Sequence, residues 1–304
     1  MRKAVNNMFS FREYLRKSKV NEFDGDEYLR SFIPDKVYKY FSFPKMDSTK
    51  EEKEKVEIEK EIQKRMTQLE EGKVWLSKRA NLNDPFELSC ICGNLSDEAK
   101  QYVDEVCETR EILCLTTSPL NKLMWAHYAD SYMGFCIEFS TKGNFPSSYL
   151  PDAQTKGMIP VEYINEKQDY SHEIEQFVRA KNEWVTNSQS DEGKFMSLFS
   201  ELSKCPLMLR AVEAMFVYKD ASFSYENELR FITYPADDEN LSSSGNLHEL
   251  NDLGLIITKI IVGMRCSDEN FARLSDVAKK IKVDLSTVAT QDDLTLKEME
   301  IWKS

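Results

Sequence analysis

Met124-Trp125-Ala126-His127-Tyr128-Ala129-Asp130, followed closely by Gly134-Phe135-Cys136-Ile137-Glu138-Phe139, reads as a short helix passing through a glycine-containing turn into a half-polar strand. One of the chain's three histidines stands at this helix-to-strand corner, where side chains can reach a cleft. His127 shares a helix face with Leu123, and Tyr128 with Met124. Two readings stand side by side. Trp125, His127 and Tyr128 are packing residues with one hydrogen bond each, or they line a pocket. Packing accounts well for Trp125 and Tyr128. It accounts less well for His127, since a histidine side chain is costly to bury when charged.

Outward from this corner, helices and strands mix without strict alternation. Residues 1–30 read as polar helix with Phe9, Phe11, Tyr14 and Leu15 as a docking stripe, ended by Pro34. Val37 to Phe43 is an aromatic-rich strand. Residues 48–71 form a charged helix with a narrow stripe of Ile58, Ile62, Met66 and Leu69, capped by Asp47 or Ser48 and stopped by Gly72. Lys73 to Ser77 and Ile112 to Thr116 are strands flanking a helix capped by Ser96, and Ser118-Pro119 starts the helix that carries Trp125. Residues 171–187 and 192–217 are helical, Tyr225 to Tyr234 and Leu255 to Val262 are strands, Asp268 to Lys280 is a helix, and the tail from Ile281 is a last strand. The expected architecture is α+β: a 1–35 helical segment, then one domain over 36–304 with helical insertions at about 48–71 and 171–217 on a β-core.

Bulk properties narrow the function classes. A chain of 304 residues with 41% hydrophobic content builds a sizeable core, and no apolar run is long enough to span a membrane. The basic N-terminus lacks a following apolar stretch, so a secretory signal is not expected. Seven scattered cysteines without C-x-x-C pairs read as reduced and cytoplasmic, and no zinc-ligand spacing exists. A net charge of −12 opposes a duplex-binding protein. Glycine-rich phosphate loops and the G-x-S-x-G elbow are missing, which disfavours P-loop enzymes, Rossmann dehydrogenases and α/β-hydrolases.

Three further features can carry chemistry. In Glu226-Asn227-Glu228-Leu229-Arg230-Phe231, strand geometry puts Glu226, Glu228 and Arg230 on one face, with Leu229 and Phe231 toward the core. Either this is a solvated face, or one carboxyl has a raised pKa or Arg230 neutralises the pair. Lys39 points with Val37 and Phe41, away from Tyr38 and Tyr40, and is either a snorkelling lysine or an anion contact. Asn83-Asp84-Pro85 is a turn that either closes a strand or lines a ligand pocket.

Four blocks together are similar to a bacterial family classed as a domain of unknown function: Tyr38-Lys39-Tyr40, Asn83 to Glu87, Met124 to Phe139, and Tyr225 to Phe231, spanning about residues 36 to 264. Their order also resembles the ADP-ribosyltransferase superfamily, whose fold is a mostly antiparallel split β-core. That resemblance implies cleavage of NAD at the nicotinamide–ribose bond, with Lys39 at the first strand-borne position, Ser77 at the second, and Glu228 at the third with Glu226 before it. It further implies Tyr38, Tyr40 or Trp125 stacking on a base, with Asn83, His127 and Tyr128 as further NAD-pocket candidates. NAD is then a substrate, no metal is required, and the acceptor is a macromolecule, nucleic acid or protein. The resemblance extends to effectors of anti-phage and toxin systems. The rival expectations are a non-enzymatic sensing module of a defence operon, using helices 48–71 or 171–217 as partner surfaces, and a metal-dependent nuclease using Asp84, His127, Glu226 and Glu228.

Overall fold

A computed structural model describes residues 8–20, 22–45, 51–82, 91–141, 157–187, 214–233 and 244–304. Among them lies one large, mostly antiparallel sheet that carries helices on both faces. Its strands are β1 (Lys36–Phe41), β2 (Lys73–Ser77), β4 (Glu111–Thr116), β5 (Phe135–Ser140), β6 (Gly157–Pro160), β10 (Glu228–Thr233), β11 (Gly245–Glu249), β12 (Ile256–Val262), β13 (Asp284–Thr290) and β14 (Leu296–Trp302). Their order is β11-β2-β4-β1-β5-β12-β13-β14, with β10 pairing β4 and β6; only β12 and β13 run parallel. Two short parallel ribbons stand apart, β3 (Ile91–Cys92) with β8 (Gln168–Asp169), and β7 (Glu162–Ile164) with β9 (Tyr218–Asp220).

The sheet forks at β4. One edge of β4 pairs with β10 along its whole length, from Glu228↔Thr116 to Thr233↔Glu111. The other edge meets β1 only at Tyr38↔Thr116 and β2 only at Ser77↔Ile112. Lys39 lies in the fork and donates from Nζ to the Cys114 carbonyl at 3.1 Å. A lysine thus takes a carbonyl at a place where the ladder has opened, since a buried main-chain acceptor needs a partner.

Strand alternation sorts the side chains onto the two faces. Val37, Leu113, Leu115, Ile137, Leu229, Phe231 and Ile260 face a core closed by α3 (Glu52–Glu70) and α8 (Asp268–Ile281). The stripe expected on α3 is what packs there: Ile62, Met66 and Leu69 are buried and Ile58 partly so. Gly72, at φ +69°, follows the helix as expected, and no side chain caps its start at Glu51. Asp47 and Ser48 lie outside the described residues. On the opposite face, Ile112, Ile159 and Ile232 meet α4 (Asp97–Thr109), α6 (Ser171–Asn187) and the N-terminal helices α1 (Phe11–Val20) and α2 (Glu22–Arg30). Phe9, Phe11, Tyr14 and Leu15 are all buried in this cluster, as the docking stripe required. Further along that face, Tyr38, Tyr40, Cys136 and Ile261 pack against α5 (Lys122–His127) through Met124 and Trp125.

Several boundaries differ from the sequence reading. Asn121, not Ser118-Pro119, starts α5; its side chain accepts from the main-chain N–H groups of Leu123 and Met124. The chain after Ile281 makes two strands joined by the turn at Gln291–Thr295, and β11 has no counterpart among the strands expected from the sequence. Residues 221–226 form a 3-10 helix, so the strand read from Tyr225 begins at Glu228. Of the second helical stretch, α7 (Ala214–Val217) is described, and it runs straight into β9.

Candidate functional site

The corner around α5 owes its shape to a left-handed turn. Asp130, Ser131 and Tyr132 have φ of +44°, +54° and +71°. Such angles cost roughly 1–2 kcal/mol per non-glycine residue and persist only when surroundings fix them. Here Ser131 N–H donates to the Ala126 carbonyl, Tyr132 N–H to Trp125 and Gly134 N–H to Ala129, while Arg265 N–H donates to the Tyr132 carbonyl. A Cβ at Gly134 would stand 2.0 Å from the Phe41 carbonyl oxygen, which explains the glycine at that place. Trp125 is fully buried, donates from Nε1 to the Pro119 carbonyl at 2.7 Å and meets the Tyr40 ring edge-on at 5.1 Å. Tyr40 is buried as well, and its hydroxyl donates to the Ser118 carbonyl at 3.0 Å. Both rings therefore build the corner.

The turn presents Tyr128, at the end of α5, to Glu226. Glu226 and Glu228 flank Asn227, whose left-handed φ of +44° ends the 3-10 helix and starts β10. Asparagine tolerates that conformation better than most residues. Lys219 of β9 lies between the two carboxylates, 2.6 Å from Glu226 Oε2 and 2.9 Å from Glu228 Oε2. Arg230 holds the other side of Glu228, with Nε 2.9 Å from Oε1, and also donates to the Phe216 carbonyl at 3.0 Å. Lys219, Glu226, Glu228 and Arg230 are 3%, 4%, 5% and 0% exposed, so this is an interior charge network and not the solvated strand face that was one of the two expectations.

The two carboxyls are pushed in opposite directions. Burial raises Glu226, and the like charge of Glu228 adds to that; Lys219 and the Tyr128 hydroxyl oppose without cancelling it. Burial would raise Glu228 too, but Arg230 and Lys219 outweigh it and hold that carboxyl well below the usual range. The arrangement can keep one fixed negative charge beside one group inclined to take up a proton.

From Glu226 the contacts lead outward. Tyr128 donates to Glu226 Oε1, the Tyr225 hydroxyl neighbours that of Tyr128, and Tyr225 OH stands 3.1 Å from Nδ1 of the exposed His127. The His127 and Tyr225 rings meet edge to face at 5.7 Å. The structure thus brings together Glu226, Glu228, Tyr128 and His127. Lys39 is on the other face of the sheet, as alternation predicts; burial lowers its pKa, with the charges of Cys114 and Glu228 opposing. Ser77 pairs with Ile112, four residues along β4 from the Thr116 that pairs with Glu228. Asn83 and Asp84 lie outside the described residues. Among the described residues, no three His, Cys, Asp or Glu side chains are grouped to hold a metal ion. No helix among them is long and apolar enough to cross a membrane.

Lys219 is the site residue that the sequence reading missed. Its signal was a lysine closing the apolar run Ala214-Met215-Phe216-Val217-Tyr218, since a cation buried there requires an anionic partner. Asn227 between two glutamates likewise marked a left-handed residue interrupting the strand.

Residues 124–231 match the family model described as a protein of unknown function, DUF2971. The expectation of a domain-of-unknown-function family is met over this segment, which is shorter than the span of about 36 to 264 read from the motifs. It starts at Met124, ends at Phe231, and holds every residue of the Lys219–Glu226–Glu228–Arg230 network together with Tyr128, Tyr225 and His127; Lys39 and Ser77 fall outside it. No curated protein and no solved structure matches the chain.

Proposed function

We propose that the chain is an NAD-using, ADP-ribosyltransferase-like effector that transfers ADP-ribose to a macromolecule, nucleic acid or protein, or hydrolyses NAD. The observation that carries this reading is the pair Glu226 and Glu228: two buried carboxylates on one ammonium group, one held ionised and the other with a raised pKa. As nicotinamide leaves, positive charge develops at the ribosyl carbon, and a fixed negative charge in a low-dielectric site stabilises it. Glu228, clamped by Arg230 and Lys219, supplies that charge. Glu226 takes the proton of the acceptor hydroxyl or of water, a task suited to a carboxylate whose pKa is brought nearer to neutrality. With Tyr40 and Trp125 engaged in packing, the His127–Tyr225 pair supplies the ring faces on which a base would stack. The role in anti-phage defence or a toxin system rests on the family resemblance alone.

The test is incubation of the purified chain with NAD, measuring released nicotinamide with and without RNA, DNA and protein acceptors. Wild-type release, abolished in Glu226→Gln and Glu228→Gln proteins that keep the wild-type circular dichroism spectrum, is the expected result. Absence of release from the wild type with every acceptor would overturn the reading.

A second reading has its own observation. Lys219, Glu226, Glu228 and Arg230 are all buried and mutually paired, as in a network that holds a fold in register. That closure favours a non-enzymatic sensing or partner-binding module of a defence operon. Under this reading the same two substitutions change stability, and no protein in the series releases nicotinamide.

A further inference from the structure

We infer that Tyr128, Tyr225 and His127 form a proton path between Glu226 and solvent, with His127 as its outer station. This rests on the reading above that Glu226 accepts a proton. The two oxygens of Glu226 face different ways. Oε2 meets Lys219 Nζ, which is buried against Glu228 and 5.0 Å from the Phe223 ring centre. Oε1 meets the Tyr128 hydroxyl. The neighbouring hydroxyl is that of Tyr225, which in turn stands 3.1 Å from Nδ1 of the exposed imidazole. The polar groups facing Glu226 come from five directions: Lys219 of β9, Glu228 of β10, Tyr128 at the end of α5, Tyr225 of its own 3-10 turn, and Tyr163 of β7. Thr116 of β4 fixes the main chain at that point, donating from its hydroxyl to the Glu226 carbonyl at 2.6 Å. Of these, the two phenols lead to an imidazole, a side chain that can accept a proton at one nitrogen and release one from the other.

The transfer balances without any heavy-atom bond changing. Glu226, having taken the acceptor's proton, gives it to the Tyr128 oxygen as the Tyr128 proton passes to Tyr225 and the Tyr225 proton to His127 Nδ1. The hydroxyl hydrogens turn to allow this, as hydroxyl donors do. The imidazolium then releases a proton from Nε2 to buffer, the exposed ring turns over so that its unprotonated nitrogen faces Tyr225 again, and the hydroxyls turn back. Glu226 ends as the carboxylate it was, ready for the next acceptor.

The experiment uses the full chain and has two arms. The first measures nicotinamide release at fixed pH while imidazole concentration is varied. The His127→Ala protein is expected to turn over about ten-fold or more slowly than wild type in dilute buffer, a loss smaller than or equal to the roughly 10²–10⁴-fold that positioned proton transfer contributes, because buffer replaces part of the path. Added imidazole restores it, whereas Tyr225→Phe is slowed and not restored, because the break lies inside the path. The second arm reads the Glu226 carboxyl carbon by NMR, assigned by its loss in Glu226→Gln, together with the His127 ring. In the wild type each resonance responds to titration of the other, and in Tyr225→Phe that response is lost. A His127→Ala protein as fast as wild type in dilute buffer, or a Glu226 titration that reports His127 equally with and without the Tyr225 hydroxyl, overturns the path. If the wild type consumes no NAD, the functional reading fails, and the second arm still decides whether the path exists.

Discussion

Two buried glutamates in this protein have nearly the same neighbours and opposite behaviour. Glu138 of β5 accepts from Lys36 Nζ at 2.8 Å, Thr258 Oγ1 at 2.8 Å and Tyr38 OH at 3.1 Å. Glu226 accepts from Lys219 Nζ at 2.6 Å and from Tyr128. Each thus has a lysine and a tyrosine. Burial raises the pKa of both, yet Glu138 ends below its ordinary value because Lys36, Thr258 and Lys259 outweigh that penalty. Glu226 ends above its ordinary value because burial, joined by the like charge of Glu228, outweighs Lys219 and Tyr128. The difference teaches that the kind of partner does not set the ionisation of a buried acid. What sets it is the balance of burial against the charges and donors within reach: Lys36, Thr258 and Lys259 tip Glu138 one way, while Lys219, set against the like charge of Glu228, does not tip Glu226 back. Glu138 is thereby a fixed anion tying β1, β5 and β12 together, and Glu226 a group able to exchange a proton.

The strongest way to break this contrast is to remove each lysine. Lys219→Met leaves two buried carboxylates with Arg230 as the remaining cation and is expected to cost about 3–5 kcal/mol in urea unfolding. Lys36→Met should cost no more than about 1 kcal/mol, since the Lys36 side chain is 55% exposed and Glu138 keeps Thr258 and Tyr38. Equal costs would show that sharing does not matter. Next come the acids themselves. Glu138→Gln should cost about 1–3 kcal/mol, because a saturated acceptor is replaced by an amide that cannot accept at every donor. Glu226→Gln should cost less than about 1 kcal/mol, because relief of repulsion with Glu228 offsets the weaker bond to Lys219.

The pH dependence sharpens the comparison further. A raised folded pKa contributes stability that is complete below the unfolded value and is lost as pH rises through the folded value. The stability of wild type relative to Glu226→Gln should therefore decline as pH climbs above the ordinary carboxylate range of about 4.3. A lowered folded pKa acts in the opposite sense. The advantage of wild type over Glu138→Gln is present above that range and disappears as pH falls below it. Urea midpoints for the three proteins across acidic to neutral pH check both signs, and parallel curves would sink the contrast. The smallest effect is expected from Lys259→Met, which removes a partly exposed ion pair with Glu298 and a more distant charge near Glu138. A loss of about 0–1 kcal/mol in the same assay is the outcome consistent with its exposure.

Much of the fold was legible because it is local. The Ile62-Met66-Leu69 stripe, the Ser96 cap and the apolar run of β12 each declare themselves within a few residues. The last two strands were read as one, since the hairpin turn at 291–295 carries no glycine to mark it. The fork at β4 was legible to nobody reading along the chain, because Thr116 pairs with Tyr38 on one side and Glu228 on the other, both distant in sequence. The candidate site divides in the same way. Glu226, Glu228, Tyr128 and His127 could be singled out by residue type and spacing. Lys219 was missed: the apolar run before it marks a cation that needs an anion, but which anions it meets appears only where β9 carries it beneath both carboxylates.

By itself, then, the sequence determined the periodic elements, the motif blocks and the likeness to a family of unknown function, all of which depend on near neighbours. Only the tertiary structure decided that Glu226 is raised and Glu228 lowered, that Trp125 and Tyr40 are packing, and that Tyr128 reaches an acid 98 residues away. The physical reason is that ionisation follows burial and the charges within a few ångströms, and in a folded chain those neighbours come from strands and turns far apart in sequence.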